Sequence, residues 1–271
     1  MRIARFTTGD EPSYGVLSGE LDDLGQPEED AVLVALAGDP MYVGLKLLET
    51  EHRLADVRLL APVLPRSKVI GIGRNYAAHA AELGNDVPDE PLMFLKPNTS
   101  VAGPDDPIFY PPQTRNLHYE GELAVVIGRI CRDVPNNVDD VNSVIWGYSI
   151  GNDVTARDLQ ESDVQFTRAK GFDSFCPLGP WIETDLDPQH FIDGVRLQTH
   201  LNGEVVQDGS TADMIFDIPA LIAHVSSVMT LLPGDVILTG TPEGVGPMEV
   251  GDEVEISIAG LGSLTNKVAQ R

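Results

Sequence analysis

The stretch "LHYEGELAVVIG", Leu117 to Gly128, decides how this chain folds. Its second half is an unbroken apolar run, the pattern of a strand covered on both faces. Its first half sets Glu120 and Glu122 two residues apart, and side chains at i and i+2 of a strand share one face. Ala124 and Val126 follow them on that face, while Leu123, Val125 and Ile127 fill the other. A core strand thus carries two like charges at one end, and desolvating like charges is costly. Two kinds of compensation are open: an ion-pair network with Lys or Arg, or a divalent cation. "IGNDVTARD" supplies a third carboxylate, Asp153, at the end of the next strand. Three carboxylates without cysteine suit a hard, oxygen-preferring ion such as Mg²⁺ or Mn²⁺. His118 falls on the same face by the period-two count and reads as a packing or hydrogen-bonding residue.

Composition limits the partners. The 271 residues suffice for one large domain, or a small one plus a larger one. Lys and Arg number 18 against 42 Asp and Glu, a formal net charge of −24. A surface this acidic repels nucleic acid and anionic membranes, and no basic cluster offsets it. Cys131 and Cys176 have no metal-site spacing and read as free, buried thiols of a reducing compartment. The start, "MRIARFTTGDE", has no apolar signal core, and no apolar run approaches the roughly 20 residues that span a bilayer. The expectation is a soluble, cytoplasmic protein with no nucleic-acid or membrane partner.

Along the chain, residues 1–62 read as a small N-terminal α+β unit. "RIARF" and "YGVLSG" are strands there, and "LKLLETEHRLADV" is a helix or its remnant. Pro62 and Pro65 bracket an extended linker, and a larger unit, residues 66–271, begins with the strand "KVIGIG". That unit is strand-rich. "RLQTHLNGEVVQDG" is a hairpin turning at Asn202-Gly203. "DIPALIAHVSSVMTLLPG" is a helix with Asp217 as N-cap and Gly234 beyond its end. Many strands and few helices predict a β-dominated α+β fold, not a doubly wound sheet.

The remaining motifs carry chemistry of unequal weight. "GIGRNY" follows a strand and precedes a helix, but Tyr76 stands where a dinucleotide fingerprint needs its third glycine. "TGTPEGVG" lacks the Gly-Lys-Ser/Thr of a phosphate loop and reads as a tight turn able to hold an anionic substrate. "HAAE" puts His79 and Glu82 on one helical face at i and i+3, either a surface pair or an imidazole oriented as a general base. "RAKGFDSFCPLGP" sets Lys170 in an apolar context, where its charge could face a developing anion.

In chain order, "GRNYAAHAAELG", "PLMFLKPNTSVAGP", "HYEGELAVVIG", "GYSIGNDVTARDLQ", "AKGFDSFCPLGPWI" and "ILTGTPEGVG" together resemble the fumarylacetoacetate hydrolase family, over roughly residues 66 to 268. The resemblance implies a mixed β-roll catalytic core, a homodimer, and Mg²⁺ or Mn²⁺ in the site. By motif position it makes Glu120, Glu122 and Asp153 the metal ligands, and His79 with Glu82 a dyad on a lid. Lys170 becomes the site lysine, and Arg157, Gln160 and Thr241 hold the carboxylate and keto groups of a small 2-oxo acid. The implied reaction is C–C cleavage through a metal-stabilised enolate, by hydrolysis of an acylpyruvate or decarboxylation of oxaloacetate. The alternatives are isomerisation or decarboxylation of a hydroxyhepta-diene-dioate in aromatic catabolism, and a non-catalytic ligand-binding relative.

Overall fold

The computed structural model describes residues 1–9 and 11–271. Gly121–Ile127 sits inside a twelve-stranded mixed sheet, between Ile145–Asn152 and Val236–Leu238. Its pairing with Ile145–Asn152 is antiparallel, with Gly121 opposite Asn152 and Leu123 opposite Ile150. Val236–Leu238 runs parallel to Val69–Gly73, which pairs with Leu92–Lys96 at the sheet edge. The alternation read from the sequence is realised. Leu123, Val125 and Ile127 enter one apolar cluster with Tyr148, Ile150, Ile256 and Leu264. Ala124 and Val126 enter another with Val69, Val236, Leu238 and Leu178. Two covered faces explain why this strand has no polar residue after Glu122.

A five-stranded sheet packs on the first cluster; it contains the Arg196–Leu201/Glu204–Ser210 hairpin and the Glu253–Ile258/Gly262–Gln270 hairpin. Asn202 and Gly203 both adopt positive φ, as the two-residue turn requires. The helix Ile218–Val228 buries Leu221, Ile222 and Val225 in the same cluster, and the Asp217 side chain accepts from the Ala220 amide at its start. The whole is a β-dominated α+β fold.

Two local expectations are corrected. Residues expected as a helix near position 47 form the strand Leu47–Arg53 and one 3₁₀ turn, Leu54–Asp56. The helix-favouring Leu, Glu and Arg residues are overridden because pairing with Val32–Leu36 satisfies the backbone at the sheet edge. The opening stretch is not one strand either. Leu117–His118 belongs to a separate three-stranded sheet, and the chain crosses into the large sheet at Tyr119-Glu120. His118 therefore does not follow Glu120 in one strand register.

The strands of residues 1–60 extend the large sheet. Arg2–Thr7 pairs antiparallel with Cys176–Glu183, through Arg2 opposite Glu183 and Ile3 opposite Ile182. Glu183 accepts from the N-terminal ammonium at 2.6 Å and pairs with Arg2 at 3.3 Å. The Trp181 ring packs with Ala4, Phe6 and Leu33. No helix among the described residues is long and apolar enough to cross a membrane.

Ile150 is fully buried opposite Leu123, one strand from the carboxylates. Ile150→Ala is expected to cost about 2–5 kcal/mol through lost burial and a residual cavity, read as a lower urea midpoint at unchanged slope.

Candidate active site

The antiparallel pair that forms the core also aligns the acids. Asn152 ends its strand opposite Gly121, so the next residue, Asp153, lies beside Glu120, and the Asp153 amide donates to the Glu120 carbonyl at 2.9 Å. The Asn152 side chain accepts from the Glu120 amide at 3.0 Å and fixes the crossing. Glu120, Glu122 and Asp153 converge so that one oxygen from each lies within 4.8 Å of the others. Each is at most 4% exposed.

The charges around them are unevenly shared. Lys170 Nζ donates to Glu120 Oε2 at 2.7 Å and to Asp153 Oδ2 at 2.5 Å. Arg157 donates to Glu120 Oε1 at 2.7 Å and to Gln160 Oε1 at 2.6 Å. Lys96, also buried, donates to Asp153 Oδ1 at 2.5 Å. Glu122 has only an amide, that of Gly240 at 2.7 Å. Gly240 has φ +101°, and a Cβ there would press on the Asn75 side chain at 2.7 Å, so glycine lets this amide reach the carboxylate.

The titration directions follow. Burial alone would raise Glu120, but Lys170 and Arg157 outweigh it and hold its carboxyl far below the usual range. Glu122 is pushed well up by burial, then by Asp153 and Glu120. Burial opposes the Lys170 charge, yet Asp153 and Glu120 carry its pKa above the ordinary lysine value. Glu120 and Asp153 thus realise the ion-pair alternative, whereas Glu122 has no cationic partner among the described residues. Three buried oxygen donors, one of them with no cationic side chain at bonding distance among the described residues, fit a divalent cation in donor chemistry.

A cavity of ≈ 270 Å³ opens over this cluster and is lined by His79, Glu120, Glu122, Arg157, Gln160, Lys170 and Thr241. Seven of the nine residues singled out from the sequence therefore share one wall; Asp153 sits behind it and Glu82 beside it. His79 and Glu82 lie on the helix Ala77–Glu82, with His79 Nδ1 3.4 Å from Glu82 Oε2 but without hydrogen-bond alignment. Burial lowers the His79 pKa below its ordinary 6.5, so the ring is neutral at physiological pH. Glu82 accepts from the Gly244 amide at 3.1 and 3.2 Å, tying this helix to the loop after Thr241. The Thr241 oxygen accepts from Gln207 at 2.8 Å, which leaves its proton free to donate. His118 lies outside the cavity wall; its Nε2 is 2.9 Å from Asn116 Oδ1, and burial lowers its pKa to about 4.

Sequence reasoning passed over Lys96, Gly240, Asn152 and Gln207. Lys96 had a signal, a charge ending the apolar strand "LMFLK", but its strand register aligns it with Val126, and only the tertiary fold brings its ammonium to Asp153. Gln207 had none, because its reach to Gly121 and Thr241 depends on how the hairpin folds over the large sheet.

Known proteins resemble this chain in sequence and in fold. The chain belongs to the fumarylacetoacetate hydrolase family: the model of the FAA hydrolase C-terminal domain matches residues 68–269. A second model, Rv2993c-like N-terminal, matches residues 1–62. The chain is 50% identical over 273 residues to protein Rv2993c of Mycobacterium tuberculosis, spanning 100% of this chain and 99% of that one. It is 45% identical over 211 residues to the mitochondrial oxaloacetate tautomerase FAHD1 of Arabidopsis thaliana, over 76% and 92% of the two chains. Among solved structures, a 5-carboxymethyl-2-hydroxymuconate delta-isomerase of Mycobacterium smegmatis superposes with TM-score 0.88 at 49% identity, over 100% of both chains. A fumarylpyruvate hydrolase of Pseudomonas aeruginosa, in complex with Mn²⁺ and pyruvate, superposes with TM-score 0.71 at 34% identity, over 77% and 91%.

Two outcomes are expected of the acid cluster. Because burial and the neighbouring acids favour a proton on Glu122 that a bound cation must displace, Mn²⁺ affinity is expected to rise with pH, with about one proton released per ion. Calorimetry in buffers of different ionisation enthalpy checks this, and Glu122→Gln should abolish the proton release. Glu120→Ala should eliminate Mn²⁺ binding and, by leaving the buried Arg157 without its carboxylate partner, cost about 3–5 kcal/mol of stability, measured by denaturation.

Proposed function

We propose that this chain is a divalent-metal-dependent enzyme that binds a small 2-oxo acid and works through its enolate. The observation that carries the reading is the convergence of Glu120, Glu122 and Asp153 with Lys170 at the inner end of a small cavity. A divalent cation held by the three carboxylates would supply Lewis-acid stabilisation of negative charge developing on the 2-oxo oxygen. The Lys170 ammonium adds a fixed positive charge at the same end, in a setting where low dielectric strengthens it. Arg157, with a second cation-bearing nitrogen beside Gln160, offers donors to the substrate carboxylate, and Thr241 offers its hydroxyl proton. His79, neutral and buried, takes a proton from C3 through Nε2, the nitrogen turned away from Glu82. Returning that proton to the 2-oxo oxygen converts the keto acid into its enol with atoms and charge balanced.

Proton transfer is placed first because relatives named as a tautomerase and an isomerase match this chain at 45% and 49% identity. C–C cleavage, the leading expectation from sequence, is the second reading. It is favoured by the named fumarylpyruvate hydrolase with its Mn²⁺ and pyruvate. There His79 would activate a water against the distal carbonyl of a 2,4-dioxo acid.

A panel of oxaloacetate, acetylpyruvate, fumarylpyruvate and a hydroxy-diene dioate, assayed with Mg²⁺ or Mn²⁺, separates these outcomes. NMR of C3 proton exchange in D₂O reports enolisation, and pyruvate release reports cleavage. Activity on none of them, or activity indifferent to chelator, would sink the proposal. His79→Ala is expected to slow C3 exchange by about 10²–10⁴-fold while leaving the Mn²⁺ dissociation constant unchanged.

A further inference from the structure

Three strong cations line the cavity, and two are committed: Lys170 to Glu120 and Asp153, Arg157 to Glu120 and Gln160. The third, Arg74, has no hydrogen bond or ion pair among the described residues. It reaches none of the three acids, and Glu161, an exposed residue of the same wall, is not paired with it. Its backbone is unusual as well. Among the described residues, five non-glycine residues have positive φ; four are Asp, Asn or Ser, which tolerate it, and Arg74 at φ +57° is the long side chain among them. Strain of this kind persists where the surroundings fix a residue for a purpose. The same cavity is lined by Ile72, Leu83 and the edge-to-face pair Phe94 and Phe166, 5.6 Å between centroids. A guanidinium with no partner among the described residues, in a partly apolar cavity, attracts an anion strongly, and in a chain of net charge −24 it supplies local attraction that the acidic exterior lacks.

We infer that Arg74 reads the distal carboxylate of a dicarboxylic 2-oxo acid, which makes it the residue that selects dicarboxylic over monocarboxylic substrates. The inference rests on the proposed function, because it takes the 2-oxo carboxylate to occupy the end held by Lys170 and Arg157. The cavity, ≈ 270 Å³, lies at the small end of ligand pockets and suits a short diacid.

Calorimetry with Mn²⁺ present tests it, using 2-oxobutyrate and 2-oxoglutarate as matched one-ended and two-ended probes. The wild type should bind 2-oxoglutarate the more tightly. Arg74→Gln, which keeps the same backbone demand, should weaken 2-oxoglutarate about 10- to 100-fold, the worth of a charge-assisted pair, with little change for 2-oxobutyrate. Arg74→Lys should restore part of the loss, and since Arg74 makes no bonds both variants should melt with the wild type. Equal losses on both probes, or no loss, would overturn the role of Arg74 and leave the 2-oxo acid reading standing. Binding of neither probe by the wild type would overturn that reading and this inference together.

Discussion

Three carboxylates buried at one point constrain everything near them. Glu120, Glu122 and Asp153 cannot share a dry site without positive charge, since each added anion raises the cost of the next. The fold answers with Lys96, Lys170 and Arg157, drawn from three separate segments. It leaves Glu122 to an amide alone. That uneven sharing separates this cluster from a plain structural network, because the Glu122 oxygens meet no cationic side chain among the described residues and stay available to a cation.

The surrounding architecture follows from holding those groups still. The antiparallel pair Gly121–Ile127 and Ile145–Asn152 sets Asp153 beside Glu120 by register, and apolar clusters on both faces lock that register. The loop from Thr239 to Gly246 closes the rim: Gly240 serves Glu122, Thr241 faces the cavity, and Gly244 holds Glu82. Gly244 has φ +95°, and a side chain there would collide with the Val206 carbonyl, so this link to the His79 helix needs glycine. Inner wall and His79 helix are thereby joined through one loop.

Much of this is legible in the sequence alone. The period-two pattern of "GELAVVI" gave the strand, its two faces and the shared direction of the glutamates, because side-chain alternation is a local property of extended backbone. The Asn202-Gly203 hairpin and the Asp217-capped helix were readable for the same reason. The "LKLLETEHRLADV" segment failed as a helix because edge pairing, a non-local contact, outweighs intrinsic propensity. His118 was misplaced by counting through Tyr119-Glu120, where the chain changes sheets.

By itself the sequence determined which strands are buried, which residues could act as acids, bases and donors, and, through six ordered motifs, the family. Tertiary structure alone decided how the charges are shared. Lys96, Arg157 and Lys170 lie 57, 4 and 17 positions from Asp153 in the chain, and only folding reveals which carboxylate each neutralises. It also left Arg74 on the cavity wall with no partner among the described residues. The physical reason is that electrostatic pairing depends on distances through space of a few ångströms, whereas sequence patterns report distances along the backbone.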